Sequence, residues 1–489
     1  MYSIDYKELA LKVVAEQCVK DFFYFVQTFW DVIIQEEPTY NWHIPFLCRE
    51  LQELSVSIVA RQPKPYDLII NIPPGTTKST IVTIMWPVWL WTQDATIRII
   101  TNSYSGGLSI EHAMKSKDIL QSDKFKRLFP DIVIRKDKSG KQNYENTKLG
   151  FRYATSTGAT ITGFHAHVII NDDPVNPKQA ESEPMRIQAN EHTKTLSSRK
   201  VNKANTPTVT IMQRLHEEDV TGYLLKKKGD NIRHICLPAE DCENVKPAEL
   251  RKYYINGLLD PNRLGRSVLD EAKTDLGSRG YAGQYSQAPS VDGGNIIKEN
   301  WFRRISFADF RALRFKEPIH FFLDTAYDSR NRKTDNDPSG IIAACKIKNN
   351  IYITHANKVW KTFPELLRFL PEYMYANDYD QYQSTLRIEP KANGKSVCQQ
   401  LEESTSLNVT YTPTPTDGKD VRLHAIAPKV ECGRVYLVDG EWNEEFIDEV
   451  CGFPTKVHDE YVDLLGYAVN YFMDEDIVIP DNVGAMFAR

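Results

Sequence analysis

Long hydrophobic runs are missing from this sequence. The longest, Ile81 to Trp91, is broken by Thr83 and Pro87 and is far short of the roughly 20 residues that span a bilayer, so no membrane anchor is expected. The opening MYSIDYKELALK mixes acidic and polar residues with apolar ones and lacks the basic-then-apolar layout of a secretion leader. Paired cysteines are missing too. Eight are scattered, at Cys18, Cys48, Cys236, Cys242, Cys345, Cys398, Cys432 and Cys451, with no CxxC and no histidine at zinc-finger spacing, which points to reduced, mostly buried thiols. Nor is positive charge in excess. A formal net charge of −5 argues against a protein that coats nucleic acid by bulk charge. Any DNA contact must come from local basic runs such as Lys194 to Lys203 or Lys226 to Lys228. Internal repeats and low-complexity tracts are absent.

What is present is ordinary globular composition, 41% apolar and 26% charged over 489 residues, long enough for two large domains. Residues 5–60 read as helical because Phe22, Phe25, Val26 and Phe29 recur at three- and four-residue spacing. Short strand-like runs follow at Asp67 to Ile72, Ile97 to Thr101, His167 to Asn171 and Thr208 to Met212, separated by helical segments, the pattern of a parallel sheet with crossover helices. In such sheets ligands sit at the carboxyl ends of the strands. A Pro/Gly-bearing connector, Gln287 to Gly294, marks a boundary. Beyond it, Ile319 to Leu323, Ile341 to Lys346 and Ile351 to His355 read as three antiparallel strands, and Leu386 to Glu389 as a fourth after a helix. That is a ribonuclease H-like layout. The expected division is a helical segment 1–60, an α/β domain 61–290, a linker 291–315, a second α/β domain 316–475 and a tail 476–489.

The strand DLIINI and the helical run IVTIMW flank PPGTTKST, Pro73 to Thr80. A strand-to-helix loop aims backbone N–H groups at one spot, and the helix dipole favours an anion there. Pro74, Gly75, Thr76, Thr77, Lys78, Ser79 and Thr80 are therefore the candidate phosphate cradle of a P-loop. Lys78 would reach the β- and γ-phosphates and Ser79 would hold Mg²⁺. The general pattern has glycines where this chain has Ile72 and Thr77. The run HVIINDDP supplies the acidic strand end, read as neighbouring the first strand, with Asp172 in the Mg²⁺ shell and Asp173 orienting the attacking water.

PPGTTKST, HVIINDDPVNP and TIMQRLHEEDVTGYLL, in that order, resemble the ATPase half of tailed-phage terminase large subunits. The resemblance implies ATP with Mg²⁺ as the nucleotide and a coupling residue near the γ-phosphate, Gln213 or Thr210. It also makes Trp42-His43 an adenine-side motif, and ATSTGATITGF the loop before the acidic strand. A ring motor also needs a cation on the transferred phosphoryl; Arg152 and Arg135 are the candidates.

Four carboxylates stand out in the second half. Asp324 ends IHFFL, Glu389 ends LRIE, and Asp459 and Asp463 lie four apart at the start of an amphipathic helix, where both can share a side. Clustered carboxylates repel unless cations sit among them, and two hard divalent ions there would perform phosphodiester hydrolysis. IHFFLDTAYDS, RIEPKANGKSVCQQL, VRLHAIAPKVECGRVYL and FPTKVHDEYVDLLGYA resemble the terminase nuclease domain. The resemblance implies Asp324, Glu389 and Asp459 as ligands of Mg²⁺ or Mn²⁺, with Asp463 a fourth candidate. Asp337 is a weaker one, and Lys391 could meet the scissile phosphate.

The resemblance further implies double-stranded DNA, a portal protein, a small terminase subunit and other copies of this chain in a ring as partners. It implies action in the host cytoplasm and transiently on the procapsid portal, and absence from the mature virion. The competing readings are a helicase or repair translocase fused to a nuclease, and a scaffold with a decayed P-loop.

Overall fold

The computed structural model describes residues 6–289, 295–326, 337–391, 393–415, 417–456 and 458–474. The chain divides into two compact units, Met1–Asp292 and Gly293–Arg489. Both are α/β, and among the described residues no helix is long and apolar enough to cross a membrane. All eight cysteines are unpaired, and most are buried.

The first unit begins with helices Tyr6–Lys20, Phe22–Ile33 and His43–Val59. Asp21 starts the second by accepting from the Phe23 and Tyr24 amides, satisfying N–H groups that a helix start leaves free. Its Phe22, Phe25, Val26 and Phe29 are fully buried, as their spacing requires; each such side chain contributes about 1.5–3 kcal/mol on burial.

Eight strands follow: β1 (Asp67–Asn71), β2 (Ile99–Ser103), β3 (Ile134–Ser139), β4 (Asn143–Asn146), β5 (Phe151–Ser156), β6 (Val168–Asp172), β7 (Thr208–Met212) and β8 (Ile232–Cys236). Their order is β3-β4-β5-β2-β6-β7-β1-β8, parallel except where β4 pairs with β3 and β5. β1, β2 and β6 are buried at every position, the mark of a sheet covered on both faces. One expectation is corrected. β1 and β6 are not neighbours, because β7 lies between them, pairing Asn71 with Met212 on one side and Asp172 with Ile211 on the other. The buried run of β7 fits either a central or a flanking place, so periodicity left the order open.

The second unit forms a seven-stranded sheet from β9 (Arg303–Ile305), β10 (His320–Asp324), β11 (Ser339–Ile347), β12 (Asn350–Val359), β13 (Leu386–Ile388), β14 (Val409–Tyr411) and β15 (Val435–Val438), ordered β14-β13-β10-β11-β12-β15-β9. β10, β11 and β12 form the antiparallel meander, and the remaining pairs are parallel. Helix Glu460–Asp474 lies over β10 and β11.

The segment 291–315, expected as a linker, belongs largely to this unit. Ile297 and Phe302 are buried in its core, β9 pairs with β15, and Phe310 of helix Phe307–Leu313 is buried. The segment is rich in apolar residues, but they are divided among elements of three, three and seven residues, Glu299–Trp301, Arg303–Ile305 and Phe307–Leu313, too short to show a period. The expected tail 476–489 lies outside the described residues.

Candidate active sites

At the carboxyl end of β1 the chain reverses through Pro73 to Ser79 and enters a π-helical turn, Thr80–Met85, that runs on into helix Trp86–Gln93. Gly75 has φ +75° and Thr77 φ +64°. Left-handed residues among ordinary ones turn successive N–H groups inward, the concavity that binds anions. Thr77 thus adopts the conformation that the glycine of the general pattern provides. The loop is tied by Thr76, whose hydroxyl donates to the Pro73 carbonyl (2.7 Å) and whose own carbonyl meets His43 Nε2 at 3.2 Å. Burial lowers His43 to about 4, so at neutral pH the ring is uncharged. Trp42 stands edge-on to it, with ring centroids 6.4 Å apart, and lies 5.5 Å from Tyr253 and 5.7 Å from Tyr254. Pro74 is half-buried, Gly75 exposed at the loop tip, and Thr80 opens the π turn.

Lys78 is buried and pairs with Asp173 at 3.0 Å, and Ser79 donates to Asp172 Oδ1 at 3.0 Å. β7 between β1 and β6 therefore does not separate the two half-motifs, since both project past its end. Asp173 has φ +42°, held by its N–H donating to Ile211 (2.8 Å) and its carbonyl accepting from Tyr104 (2.9 Å). Burial pushes the Asp172 and Asp173 carboxyls up, against the pull of the Lys78 ammonium. The Ser79 hydroxyl beside a buried carboxylate suits a hard cation.

Gln213 stands at the end of β7, its backbone amide on the Asp173 carboxylate and its side-chain oxygen buried without a hydrogen-bond partner. Thr210 lies deeper in β7, in register with Asn171 and Ile69. The motif after Gln213 builds a turn. Asp219 accepts from Arg214 Nε (2.9 Å), Leu215 N (3.0 Å) and Gly222 N (2.9 Å), which fixes where Gln213 emerges.

Neither arginine reaches outward for a phosphate. Arg152 is 1% exposed and donates to the Thr83 carbonyl (2.8 Å) and to Ser116, capping the π turn from inside. Arg135 lies on the β3–β4 hairpin, bound to Asp137 and Glu145. A residue missed from sequence is His112, with Nδ1 3.5 Å from Asp172, lowered to about 4 by burial and by Arg152; a lone histidine in a helix carries no signal of this. Of the basic run Lys194 to Lys203, Lys200 is buried and paired with Asp67.

In the second unit Asp324 at the end of β10, Glu389 just beyond β13 and Asp463 on helix Glu460–Asp474 bring ligand oxygens within 4.8 Å of one another. The strands are adjacent, with Leu323 in register with Ile388, so their next residues emerge side by side. Burial, then Glu389 and Asp463, pushes the Asp324 carboxyl well above its usual range, while Glu389 is held low chiefly by Lys391 despite its burial. Three converging carboxylates form a donor set suited to hard divalent cations.

Asp459 is not in this cluster. It precedes the helix, half-buried, and binds Lys419 at 2.5 Å; Asp463, one turn on, points inward in its place. Helical spacing alone could not say which of the two faces the sheet. Lys419 also meets Asp463 (2.8 Å), as does Arg422 (2.5 Å), and Lys391 meets Glu389 (2.9 Å). Lys419 and Arg422 were missed because they come from a separate helix, Lys419–Glu431. Asp337 groups instead with His458 and Glu460, where Lys358 already supplies a counter-charge 3.2 Å from Glu460.

Residues 361–472 match the family described as the terminase RNaseH-like domain, so the second unit carries a terminase RNaseH-like domain. No curated protein matches the chain. Among solved structures, a large terminase from a thermophilic bacteriophage is 11% identical over 86% of this chain and 98% of its own, with TM-score 0.49. The HK97 bacteriophage large terminase is 10% identical over 89% and 96%, with TM-score 0.36. The magnesium-bound large terminase nuclease of thermophilic phage G20c is 15% identical over 32% and 82%, with TM-score 0.25.

Proposed function

We propose that this chain is a viral terminase large subunit, hydrolysing ATP in its first unit to drive double-stranded DNA into a procapsid and cutting concatemeric DNA in its second. One observation carries the reading: Asp324, Glu389 and Asp463 converge inside the unit that matches a terminase RNaseH-like domain.

In the ATPase, Lys78 binds the β- and γ-phosphates, and the left-handed loop presents its amides to them. Ser79 and Asp172 would hold Mg²⁺, which supplies charge neutralisation on the phosphates. Lys78 and Asp173 pair when no phosphate is near. Phosphate competes for the ammonium, and the released Asp173 carboxylate orients the attacking water. Gln213, its amide on Asp173, reports the state of that carboxylate to the rest of β7. A cation from another copy of the chain completes the site, because Arg152 and Arg135 are committed elsewhere.

In the nuclease, Asp324, Glu389 and Asp463 would hold Mg²⁺ or Mn²⁺, which activates water and stabilises the leaving oxygen. Lys391 approaches the scissile phosphate, and Lys419 pairs with both Asp463 and Asp459. Portal protein, a small terminase subunit and ring copies are the partners, in the host cytoplasm. The test compares purified protein with Lys78→Ala and Asp324→Asn. Lys78→Ala should lose ATP turnover by at least about a hundredfold. Asp324→Asn should lose divalent-dependent plasmid cleavage and keep its ATPase. Equal turnover by Lys78→Ala, or cleavage by Asp324→Asn, refutes the respective half.

A further inference from the structure

Beside the carboxylate cluster the second unit has an open cavity of about 400 Å³, and its place follows from the periods of the elements that form the cluster. Phe322 precedes Asp324 by two residues on β10, Arg387 precedes Glu389 by two on β13, and Tyr467 follows Asp463 by four on the helix; all three line the cavity. Residues two apart on a strand share a face about 7 Å apart, and residues four apart on a helix are stacked one turn apart. Phe322 and Arg387 are register partners. The cavity is thus the same three-element arrangement repeated one step along, on the order of one unstacked nucleotide from the cluster.

Its lining offers what a nucleotide needs. The Arg387 guanidinium lies 3.9 Å over the Tyr471 ring, with Nε lacking a hydrogen-bond partner. Arg422 donates to Tyr467 Oη at 3.1 Å, and Asn470 faces the same space. Aromatic and guanidinium planes stack on any base, and guanidinium pairs with phosphate in a planar fork. A second observation comes from Gly466. It lies inside helix Glu460–Asp474, where glycine weakens the helix relative to alanine, yet a Cβ there would meet nothing within 4 Å. No packed neighbour requires its smallness. What it preserves is the open volume.

We propose that this cavity is a nucleotide subsite of the nuclease, receiving one nucleotide of the strand next to the phosphodiester at the carboxylate cluster, with the base on Tyr471 and Tyr467 and the phosphate on Arg387. The inference rests on the nuclease reading above.

Single-stranded oligodeoxynucleotides carrying 5-iodouracil are irradiated with the full-length protein in EDTA, and crosslinks are mapped by mass spectrometry. Crosslinks should fall on Tyr467 or Tyr471 and vanish in Gly466→Met, which projects a long side chain into the cavity, while Gly466→Ala keeps them. In Mn²⁺, Gly466→Met and Arg387→Gln should raise KM for single-strand cleavage about tenfold, the scale of one lost stacked base, with kcat within about twofold. Crosslinks that survive Gly466→Met, or unchanged KM in both variants, overturn the subsite. The crosslinks need no cleavage, so a wild type that crosslinks at these tyrosines but never cuts would support the subsite and sink the nuclease reading.

Discussion

Replacing Asp324 by asparagine should make the cation-free protein more stable while destroying its nuclease. The three carboxylates bring oxygens within 4.8 Å of one another, and two unit charges at that separation repel by about 3 kcal/mol at an effective dielectric of ~20. Lys419, Arg422 and Lys391 offset part of this, leaving a net gain for Asp324→Asn of about 1–2 kcal/mol. The sign agrees with the raised Asp324 carboxyl: a folded-state acid held above its ordinary value loses stability as pH climbs past that value, so at neutral pH the wild type carries the cost. For a unit of about 200 residues the gain is worth about 2–8 °C. Adding Mg²⁺ or Mn²⁺ at about a hundred times its dissociation constant should return about 2.7 kcal/mol to the wild type and little to the variant, reversing the order. Calorimetry of both full-length proteins in EDTA and in divalent metal reads this directly. A variant less stable than wild type in EDTA, or equal stabilisation of both by metal, refutes the reasoning.

Thr77→Gly should stabilise the protein by about 1 kcal/mol and leave ATP turnover intact, because a β-branched residue is strained at φ +64°; a drop in the urea midpoint would contradict this. Burial alone would raise the Asp67 carboxyl, but Lys200 and Lys64 hold it down at about 2. The depression of nearly two units is worth about 2 kcal/mol, present above pH ~4 and lost as pH falls through ~2. Asp67→Asn should therefore lose about that much at pH ~7 and almost nothing at pH ~2, and a pH-independent difference in urea titrations would rule it out. Lys358, buried between Glu449 and Glu460, should cost about 3–5 kcal/mol when changed to methionine, since two buried carboxylates lose their counter-charge; an unchanged melting temperature would show that they take up protons at no cost.

The α/β class with its strands, the helical opening segment and the meander of the second unit were legible because they rest on local periods. Thr208 to Met212 matched β7 residue for residue, and Phe22, Phe25, Val26 and Phe29 share one buried face. Lys78, Ser79, Asp172 and Asp173 were legible as two half-motifs, since each follows a strand directly in the chain. Chain connectivity does not encode sheet order, so the insertion of β7 between them was invisible. The segment 297–313 is rich in apolar residues, but its elements, Glu299–Trp301, Arg303–Ile305 and Phe307–Leu313, are each too short to show a period that reveals packing on the second unit.

For the two chemical centres the division has a physical basis. The sequence by itself determined which residue types were available and where strands hand over to loops, because those depend on neighbours within a few positions. Tertiary structure decided that Asp463, not Asp459, joins Asp324 and Glu389, that Arg152 is a buried cap on a π turn, and that Lys419, Arg422 and His112 face the carboxylates. Each is a contact between elements far apart in the chain, set by which helix face packs on which sheet. Gly466 shows both sides of this. Its residue type is plain in the sequence, but only the packed helix reveals the open volume that its missing side chain leaves beside the carboxylates.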